Sequence, residues 1–362
     1  GTALACGFGV WQVLPVGPTG PDGSPYQSSS AHAGNPRFIS LEKVVEAGWL
    51  NASELPPPGV DGGARREALG VATERFHKNA DAAQRKAKEA FCREHKAWLD
   101  DFALFSALQQ EKHLPWWDWA PGLRDREPQA IAEARARLAR PIRQARFEQF
   151  LFFTQWAELR RHAASQNIRL FGDLPIFVAL DSAEVWAHRE LFFLDGEGAP
   201  TVVAGVPPDY FSATGQRWGN PLYRWDVMHA DGFTFWVDRM RTQMRLYDMI
   251  RIDHFRGFEA YWEIPAAEPD AVRGRWGPRI SASSPRRSSP CAIARACRGC
   301  TSCSSRFPGG RRTLTCRSTI PRIRSFIPAP TTTIRRSAGT APSTIRSAAW
   351  STSTSAIPAT PC

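Results

Sequence analysis

Asp, Glu and Lys are absent from the last 92 residues of this 362-residue chain, which contain 16 Arg. The residues up to Asp270 carry 30 Lys and Arg against 35 acids, so the net charge of +11 comes from the C-terminal region alone. The body of the chain is mildly acidic, which gives no reason to expect nucleic acid as a partner.

Cysteine is scarce in the same body. Only Cys6 and Cys92 precede residue 278, whereas six cysteines follow it. A body so poor in cysteine indicates a reducing compartment, and we expect a cytoplasmic location. No apolar run reaches the roughly 18 residues of a membrane span, and the first ten residues do not resemble a signal peptide. We therefore expect no membrane partner.

Apolar segments of strand type alternate with helical patterns along the body. Strands are predicted at 10–18, 168–178 and Met249–Ile252. A helical pattern fills about 67–165, and a further helix is predicted over 231–246. This alternation predicts an α/β fold with parallel strands. In a β/α barrel the functional groups lie where strands end, as Asp173 and Asp253 do.

The composition changes after Gly277. Residues 278–362 consist almost wholly of Arg, Ser, Ala, Pro, Thr, Ile, Cys and Gly, without a helical or alternating period. Such composition predicts disorder. We therefore divide the chain into a body, 1–277, with a helical insertion at about 67–165, and a tail, 278–362.

The segment DMIRIDHFRGFEAYW contains the strongest candidate site. Arg251 and Asp253 share one face of the predicted strand, and His254 follows in a turn. Asp253 is either an active-site carboxylate or a structural one paired with Arg251. A hydrogen-bonding role is favoured for His254, because no HExxH or similar metal-binding spacing is present, and we expect no metal site.

Several tryptophans lie in or beside Gly/Pro-rich turns. Indole faces suit the C–H faces of sugar rings, and amides suit sugar hydroxyls. Most of these side chains are predicted to be core, but Trp218 lies in the polar stretch GQRWGN, predicted as part of a loop over 211–223, and is expected to contact a ligand. The tryptophans in or beside these turns are Trp11, Trp116, Trp117, Trp119, Trp218 and Trp262.

The chain resembles bacterial 4-α-glucanotransferases (amylomaltases, or disproportionating enzymes) from about Trp11 to Trp276. The matching blocks occur in the family's order: WQVLPVGPTG, SPYQS, AGNP, FGDLPIFVALDSAEVWAHRELFFLD, GEGAPTVVAGVPPDYFSATGQRWGNPLYRWDV and RIDHFRGFEAYWEIPA. The resemblance implies an incomplete TIM-type β/α barrel of the α-amylase superfamily kind with helical insertions. It also implies no cofactor, and α-1,4-glucans (maltooligosaccharides) as donor and acceptor in a retaining double displacement.

The resemblance assigns roles to individual positions. It implies that Asp253 of RIDH is the nucleophile and that Arg251 and His254 contact the sugar at the cleavage subsite. It implies substrate contacts for Tyr26, Gln216 and Trp218.

Two departures from the family pattern stand near the N-terminus. Pro21-Asp22-Gly23 replaces the usual Tyr-Gly-Asp, which removes a sugar-stacking ring, and the strand that opens the family fold before WQVLP is not matched.

The family's second catalytic carboxylate, the Glu of AEDLGVITPEVE, is not present, nor is the Asp of YTGTHDNDTT. A shift of the reading frame by one nucleotide upstream changes what the tail can encode. In that frame the codons of residues 278–289 can encode AEDLGVITPEVE, and the codons of residues 327–339 can encode the block that begins YTGTHDNDTT. The codons of residues 297–307 can encode LPGMHVLQFAF, another block that resembles the family. We therefore predict that the tail is an out-of-frame translation of the enzyme's C-terminal half. In that frame the Glu codon overlaps Arg279 and the Asp codon overlaps Thr332.

Other interpretations of the tail and of the whole chain stay open. CRGCTSC has C-x2-C-x2-C spacing, as in some iron–sulfur proteins, and an Arg-rich tail can bind anionic surfaces. The alternative to a glucanotransferase is a non-catalytic glucan-binding relic. As written, the chain is expected to be inactive and poorly folded, since later barrel strands and the acid are missing.

Overall fold

The computed structural model describes residues 7–20, 22–57 and 63–277, together with the backbone of 300–304 and 315–318. All of them belong to the first of two compact units, Gly1–Ile320. The remainder of the predicted tail lies outside the described residues. Its predicted disorder, its altered reading frame and the boundary at 277 therefore stay predictions.

The strand that ends at the candidate site belongs to a five-stranded sheet. Strands β1 (Val10–Gln12), β2 (Arg169–Leu174) and β5 (Met249–Ile252) run parallel in the order β1-β2-β5. The connection from β1 to β2 is mainly helical, and the connection from β2 to β5 contains three helices and two strands; parallel strands require such crossover connections. The predicted α/β fold with parallel strands is confirmed.

Prolines shorten two of the predicted strands. β1 ends at Gln12 and β2 ends at Leu174, although the apolar pattern continues beyond both. Pro15 follows the first strand and Pro175 follows the second. A proline has no N–H to donate to a neighbouring strand, so the pairing stops there. β5 has the predicted limits.

Helices fill the segment between β1 and β2. They are α1 (Leu41–Glu46), α2 (Gly63–Asn79), α3 (Ala82–Glu94), α4 (Lys96–Lys112), α5 (Pro121–Arg124), α6 (Pro128–Arg137) and α7 (Ala139–Ser165). Short 3-10 turns lie at Pro36–Phe38, Ala52–Glu54 and Trp116–Asp118. Later helices are α8 (Ala183–Ala187), α9 (Trp225–Ala230) and α10 (Thr234–Leu246), with 3-10 turns at Arg189–Leu191 and Phe255–Phe258.

The predicted helix at 231–246 begins later than expected. α10 starts at Thr234, because Phe233 adopts a left-handed conformation with φ of 60°. The Thr234 N–H donates to Asp231 Oδ1 at 3.3 Å. Asp231 therefore satisfies a free amide at the helix start instead of joining the helix.

The long helix α7 secures the start of β5. Trp156 Nε1 donates to the Leu246 carbonyl at 2.8 Å. Arg160 Nη2 lies 2.7 Å from Asp248 Oδ1, and Asp248 Oδ2 accepts the Leu170 N–H at 2.9 Å. One carboxylate thus joins the helical insertion to β2 and β5, so the two strands that end at the candidate site are held in fixed register.

A second, antiparallel sheet has the order β4-β3-β6-β7. Its strands are β3 (Val202–Val206), β4 (Gln216–Pro221), β6 (Trp262–Pro265) and β7 (Arg275–Trp276). The prediction of a loop over 211–223 is therefore wrong for Gln216–Pro221, which form β4. This stretch has no alternating apolar pattern, but it lies against β3 with Val206 paired to Gln216, and the neighbouring backbone supplies its hydrogen-bond partners.

The main hydrophobic cluster lies between the parallel strands and the helices. The prediction that most turn tryptophans are core is right for Trp116 and Trp119, which are 0% and 4% exposed. Trp11 is an exception, since it is 49% exposed on β1. Trp218 is partly buried against the cluster, so it is neither a core side chain nor a free one.

Two short strands lie in the predicted tail. β9 (Thr315–Ser318) pairs antiparallel with β5, and β8 (Cys300–Ser304) pairs antiparallel with β9. The composition of the tail predicts no strand at either place. The side chains needed for the iron–sulfur interpretation lie outside the described residues.

Candidate active site

Asp253 lies immediately after β5, where the strand leaves the parallel sheet. Its N–H donates to the Leu174 carbonyl at 2.9 Å, which extends the pairing of β5 with β2 by one residue. Its side chain is 49% exposed, and Oδ1 lies 3.7 Å from Arg251 Nη2. The carboxylate is therefore held at a strand end while remaining open to a ligand.

Arg251 makes its short contacts with another carboxylate, Asp173. Arg251 Nε and Nη2 donate to Asp173 Oδ1 and Oδ2 at 2.9 and 2.6 Å. The parallel register places these residues opposite each other on β5 and β2, and the Asp173 side chain is 0% exposed. This bidentate pair raises the pKa of Arg251. Arg251 thus has two acidic partners, with Asp253 the more distant one, and the structural and active-site interpretations of Asp253 both stay predictions.

Tyr26 completes this group. Its hydroxyl donates to Asp173 Oδ2 at 2.9 Å. Burial, and then the Asp173 hydrogen bond, raise the pKa of Tyr26, so the phenol keeps its proton at neutral pH. Asp173 therefore connects the loop before α1 to β5.

His254 adopts a left-handed conformation with φ of 50°, which is uncommon for a residue with a side chain. Its ring lies edge-on to Trp218 with the centroids 4.9 Å apart. Its Nε2 is buried and makes no hydrogen bond to any described residue. Burial lowers the pKa of His254, so the imidazole is neutral at pH 7. A neutral ring with an unused nitrogen suits a hydroxyl ligand.

Gln216 and Trp218 approach the site from β4. Trp218 Nε1 donates to Gln216 Oε1 at 3.0 Å. The turn into β4 uses Gly215 at φ of 67°, where an added Cβ would lie 2.4 Å from the Val206 carbonyl oxygen. Only glycine fits this close approach, which sets the position of the strand.

The six predicted residues form two contact groups. Tyr26 and Arg251 meet at Asp173, with Asp253 beside Arg251. Gln216 and His254 both contact Trp218. Asp253 and His254 are neighbours in the chain, so the two groups are joined through the backbone at the end of β5.

A cleft of about 870 Å3 opens beside Trp218. Its lining includes the Gly-rich loop at Thr19 and Gly20, Trp117 from the helical insertion, and Gly219. Asp253 and Arg251 are not in its lining. Of the six predicted site residues, Trp218 alone is among the described residues that line this cleft.

Two further acids contribute to the site. Asp173 is expected among the functional groups at the strand ends, but its role as the partner of Arg251 depends on the pairing of β2 with β5. Asp181 lines the cleft and accepts a hydrogen bond from Gln109 Nε2 at 2.9 Å. Burial raises the pKa of Asp181 to about 6. No local pattern marks this residue, because its partner lies 72 residues away.

Within the part of the chain that the structure describes, no group of three or more His, Cys, Asp or Glu side chains is arranged to bind a metal ion. None of the described helices has the length and apolar character to span a membrane.

Comparison with known proteins identifies the family. The 4-alpha-glucanotransferase family model (glycoside hydrolase family 77) matches residues 2–284. The chain belongs to this family. The chain is 53% identical over 273 residues to a 4-alpha-glucanotransferase of Thermus thermophilus, covering 74% of this chain and 55% of that protein. It is 40% identical over 284 residues to a chloroplastic/amyloplastic 4-alpha-glucanotransferase of Solanum tuberosum, covering 75% and 49%.

The structural comparison agrees with this family. An amylomaltase of Streptococcus agalactiae in complex with acarbose is similar with a TM-score of 0.72 and 34% identity, over 82% of this chain and 60% of that one. The predicted fold class, a TIM-type barrel of the α-amylase kind, is confirmed by this match. The chain spans about half the length of the curated 4-alpha-glucanotransferases that it matches.

The Asp173 group provides a test of the geometry. Asp173→Asn should lower the free energy of unfolding by about 2–3 kcal/mol, since it breaks a bidentate pair whose acidic partner is buried and whose Arg is partly exposed. Tyr26→Phe removes one neutral donor and should cost only about 0.5–1.5 kcal/mol. Urea unfolding of the two variants measures both values. Equal losses would contradict the central position of Asp173 between Arg251 and Tyr26.

Proposed function

We propose that residues 7–277 supply the nucleophile side of a 4-α-glucanotransferase active site, which moves α-1,4-glucan segments between maltooligosaccharides. The observation that carries the proposal is the half-exposed Asp253 carboxylate at the end of β5, beside an Arg251 that Asp173 holds in place. The proposed site requires no metal or organic cofactor.

Asp253 is the proposed nucleophile. Its carboxylate attacks the anomeric carbon of the donor as the glycosidic bond breaks, so a covalent glycosyl-enzyme forms with inversion and the leaving sugar takes a proton from the acid/base group. In a second inversion the 4-hydroxyl of the acceptor displaces the Asp253 carboxylate and gives its proton back to that group. The Arg251 guanidinium contributes positive charge beside the reacting carboxylate and, with His254, contacts the sugar at the cleavage point. His254 Nε2 is buried without a partner among the described residues, and the proposed sugar contact would satisfy it.

Tyr26, Gln216 and Trp218 are the proposed substrate contacts. Trp218 offers an indole face to a sugar ring at the border of the cleft, and Gln216 fixes its orientation through the indole N–H. Amides and carboxylates in the cleft, such as Gln109 and Asp181, suit the hydroxyls of a longer glucan.

A retaining reaction needs a second carboxylate about 5–5.5 Å from the first. Asp173 is unsuited to this role, since it is fully enclosed and bonded to Arg251 and Tyr26. We propose that the acid/base Glu is encoded beyond Gly277 in the frame that overlaps Arg279. Sequencing the genomic DNA across Gly277 tests this, and an intact downstream frame without the family blocks would refute it.

The test of function uses a full-length protein in which the reading frame after Gly277 is restored, here called the frame-restored protein. Incubation with maltotriose should release glucose and yield longer maltooligosaccharides, measured by chromatography. Failure of this protein to transfer, together with retained binding of maltooligosaccharides, would favour the glucan-binding relic. Nucleic acid and membranes are not proposed as partners, and the cytoplasmic location remains a prediction.

Trp218→Ala should weaken maltooligosaccharide binding by about 10-fold or more, because an indole stacked on a ligand contributes on the order of 1–3 kcal/mol. Calorimetric titration of the frame-restored protein measures the affinity, and urea unfolding measures stability. Trp49→Ala is the matched control, since Trp49 is also partly buried but packs on Phe76 in the helical region. A large loss of stability with unchanged affinity in Trp218→Ala would identify Trp218 as a core residue.

A further inference from the structure

The segment that follows β2, residues 175–178, is held in place by side chains. The register of β2 with β5 ends at Leu174, and Pro175 has no N–H with which to continue it. Arg239 on α10 donates through Nη2 to the Pro175 carbonyl at 2.5 Å and through Nη1 to the Ile176 carbonyl at 2.9 Å. One planar guanidinium therefore fixes two successive carbonyls just beyond the end of the strand.

Two further side chains hold the same segment. The Tyr223 hydroxyl donates to the Ile176 carbonyl at 2.8 Å, and Asn220 Nδ2 on β4 donates to the Val178 carbonyl at 2.9 Å. Tyr223 is buried, and its hydroxyl lies 3.3 Å from Arg239 Nη1. The segment 175–178 is thus joined both to α10 and to the chain at the end of β4.

Phe177 connects this segment to the candidate active site. It is buried, and its ring centroid lies 6.3 Å from that of Trp218 and 6.3 Å from that of His254. The Phe177 ring also stacks on Tyr223 with the centroids 5.9 Å apart. Aromatic pairs at such separations pack in preferred orientations. A shift of Phe177 would therefore change the packing around two of the proposed sugar contacts.

The turn that follows His254 packs closely on the same segment. A Cβ added at Gly257 would lie 2.7 Å from Ile176 Cδ1 and 3.7 Å from Phe177 Cζ. It would also lie 3.3 Å from His254 Cδ2. Protein interiors packed this closely transmit displacements. A movement of the segment 175–178 therefore reaches His254.

Arg239 itself does not face the cleft. It is 2% exposed and is not among the described residues that line the cleft beside Trp218. Its guanidinium carbon lies 5.0 Å from the centroid of the Trp236 ring. Burial lowers the pKa of Arg239, while Tyr223 and Glu184 act in the opposite sense, and an arginine in a protein keeps its charge. Any effect of Arg239 on the site must therefore pass through the groups that it holds.

We infer that Arg239 is a positioning residue for the proposed glucan transfer. It holds the segment 175–178, so that Phe177 keeps its position. Phe177 in turn sets the positions of the Trp218 and His254 rings. The inference rests on the proposed function and deepens it, because it adds to the same site a residue that does not touch the substrate.

Arg239→Lys in the frame-restored protein should lower kcat/KM for transfer between maltotriose molecules by about 10-fold or more. An ammonium lacks the planar fork that holds two carbonyls at once, and a displacement of about 1 Å at a reacting site can cost on the order of 10²-fold. Arg241→Lys is the matched control, since Arg241 lies on the same helix but is exposed and pairs with Asp238 at 2.8 Å. Its kcat/KM should equal that of the parent.

A parent value of kcat/KM in Arg239→Lys, or an equal loss in both variants, would overturn the inference. If the frame-restored parent itself transfers no glucan, the proposed function fails. The positioning of His254 is then judged by a measurement that does not need catalysis.

That measurement is a histidine titration followed by NMR, which a general loss of stability does not change while the protein stays folded. Burial lowers the pKa of His254, Asp253 acts to raise it, and Arg256 acts to lower it. In Arg239→Lys the shifted aromatic ring should admit water, so the pKa of His254 should rise towards its ordinary value. It should stay unchanged in the control variant. His254→Gln assigns the signal by removing it, and an unchanged His254 pKa in folded Arg239→Lys would overturn the inference.

Phe177→Leu tests the route from Arg239 to the site. It should lower kcat/KM and raise the pKa of His254 in the same way. Combined with Arg239→Lys, it should lose at most about threefold more than the larger single loss, because both substitutions act on one set of contacts. Losses that multiply would show that Arg239 acts independently of Phe177, and they would overturn the inference.

Circular dichroism checks that the variants fold. If Arg239→Lys does not, Tyr223→Phe takes its place, because it removes one donor to the Ile176 carbonyl and leaves the aromatic ring. It should change kcat/KM and the pKa of His254 in the same directions, by less. Parent values of both in Tyr223→Phe would then overturn the inference.

Discussion

Asp253→Asn in the frame-restored protein should reduce transfer between maltooligosaccharides by at least about 10³-fold, because removal of a nucleophile eliminates the covalent pathway. The substitution retains the shape of the side chain and the N–H bond to Leu174, so the strand end should stay intact. The rate is measured as glucose released from maltotriose. Mass spectrometry of the denatured protein should detect a glycosyl adduct in the parent and none in the variant.

Asp226→Asn is the matched control for this substitution. Asp226 is an exposed acid on α9 that lies 3.6 Å from Arg224, well outside the two contact groups. Its transfer rate should equal that of the parent. Transfer near the parent rate in Asp253→Asn would refute the nucleophile assignment, and an equal loss in both variants would indicate a general effect on folding.

The chain of residues 1–362 should show no measurable transfer, whereas the frame-restored protein should be active. The tail contains no Asp or Glu, and a general acid alone contributes roughly 10²–10⁴-fold in rate. Both proteins are assayed with maltotriose at equal concentration, beside urea unfolding. Sustained transfer by residues 1–362 would mean that an acid within the body completes the site, and it would contradict the reading-frame hypothesis.

The stability of residues 1–362 is a separate question from its activity. Phe8, Trp11 and Leu14 around β1 are 63%, 49% and 58% exposed. An exposed apolar strand at a sheet edge promotes association with other chains. We expect residues 1–362 to unfold at lower urea concentration than the frame-restored protein. Coincident unfolding curves would contradict the expectation of a poorly folded chain.

The sequence predicted β5 and its polar end well, because the apolar run and the turn after it are local. The predicted strands at 10–18 and 168–178 were too long, because Pro15 and Pro175 end the strand pairing within the apolar segments. β4 was missed because its pairing with β3, and not its own composition, makes it a strand. Asp173 was recognised as a strand-end residue but not as the partner of Arg251, since that contact needs the register of β2 and β5.

The family resemblance grouped the six candidate residues into one site, which local sequence patterns alone could not do. Gln216 and Trp218 share a strand, yet their relation to His254 depends on how the antiparallel sheet lies against the end of β5. Asp181 had no signal at all, because its role as a cleft residue depends on Gln109 from a distant helix. The parts of the site that the sequence pattern did not predict therefore depend on contacts between segments that are far apart in the chain.

The buried Asp173 also affects the order in which the protein can fold during synthesis. Its phenol donor, Tyr26, precedes it by 147 residues, but its cationic partner, Arg251, is made 78 residues later. While a growing chain is still too short to include Arg251 outside the ribosome, a buried Asp173 would carry an uncompensated charge. The β2 strand end is therefore expected to close only after β5 has emerged, which makes the site one of the last parts of this unit to form and a region that chaperones encounter open.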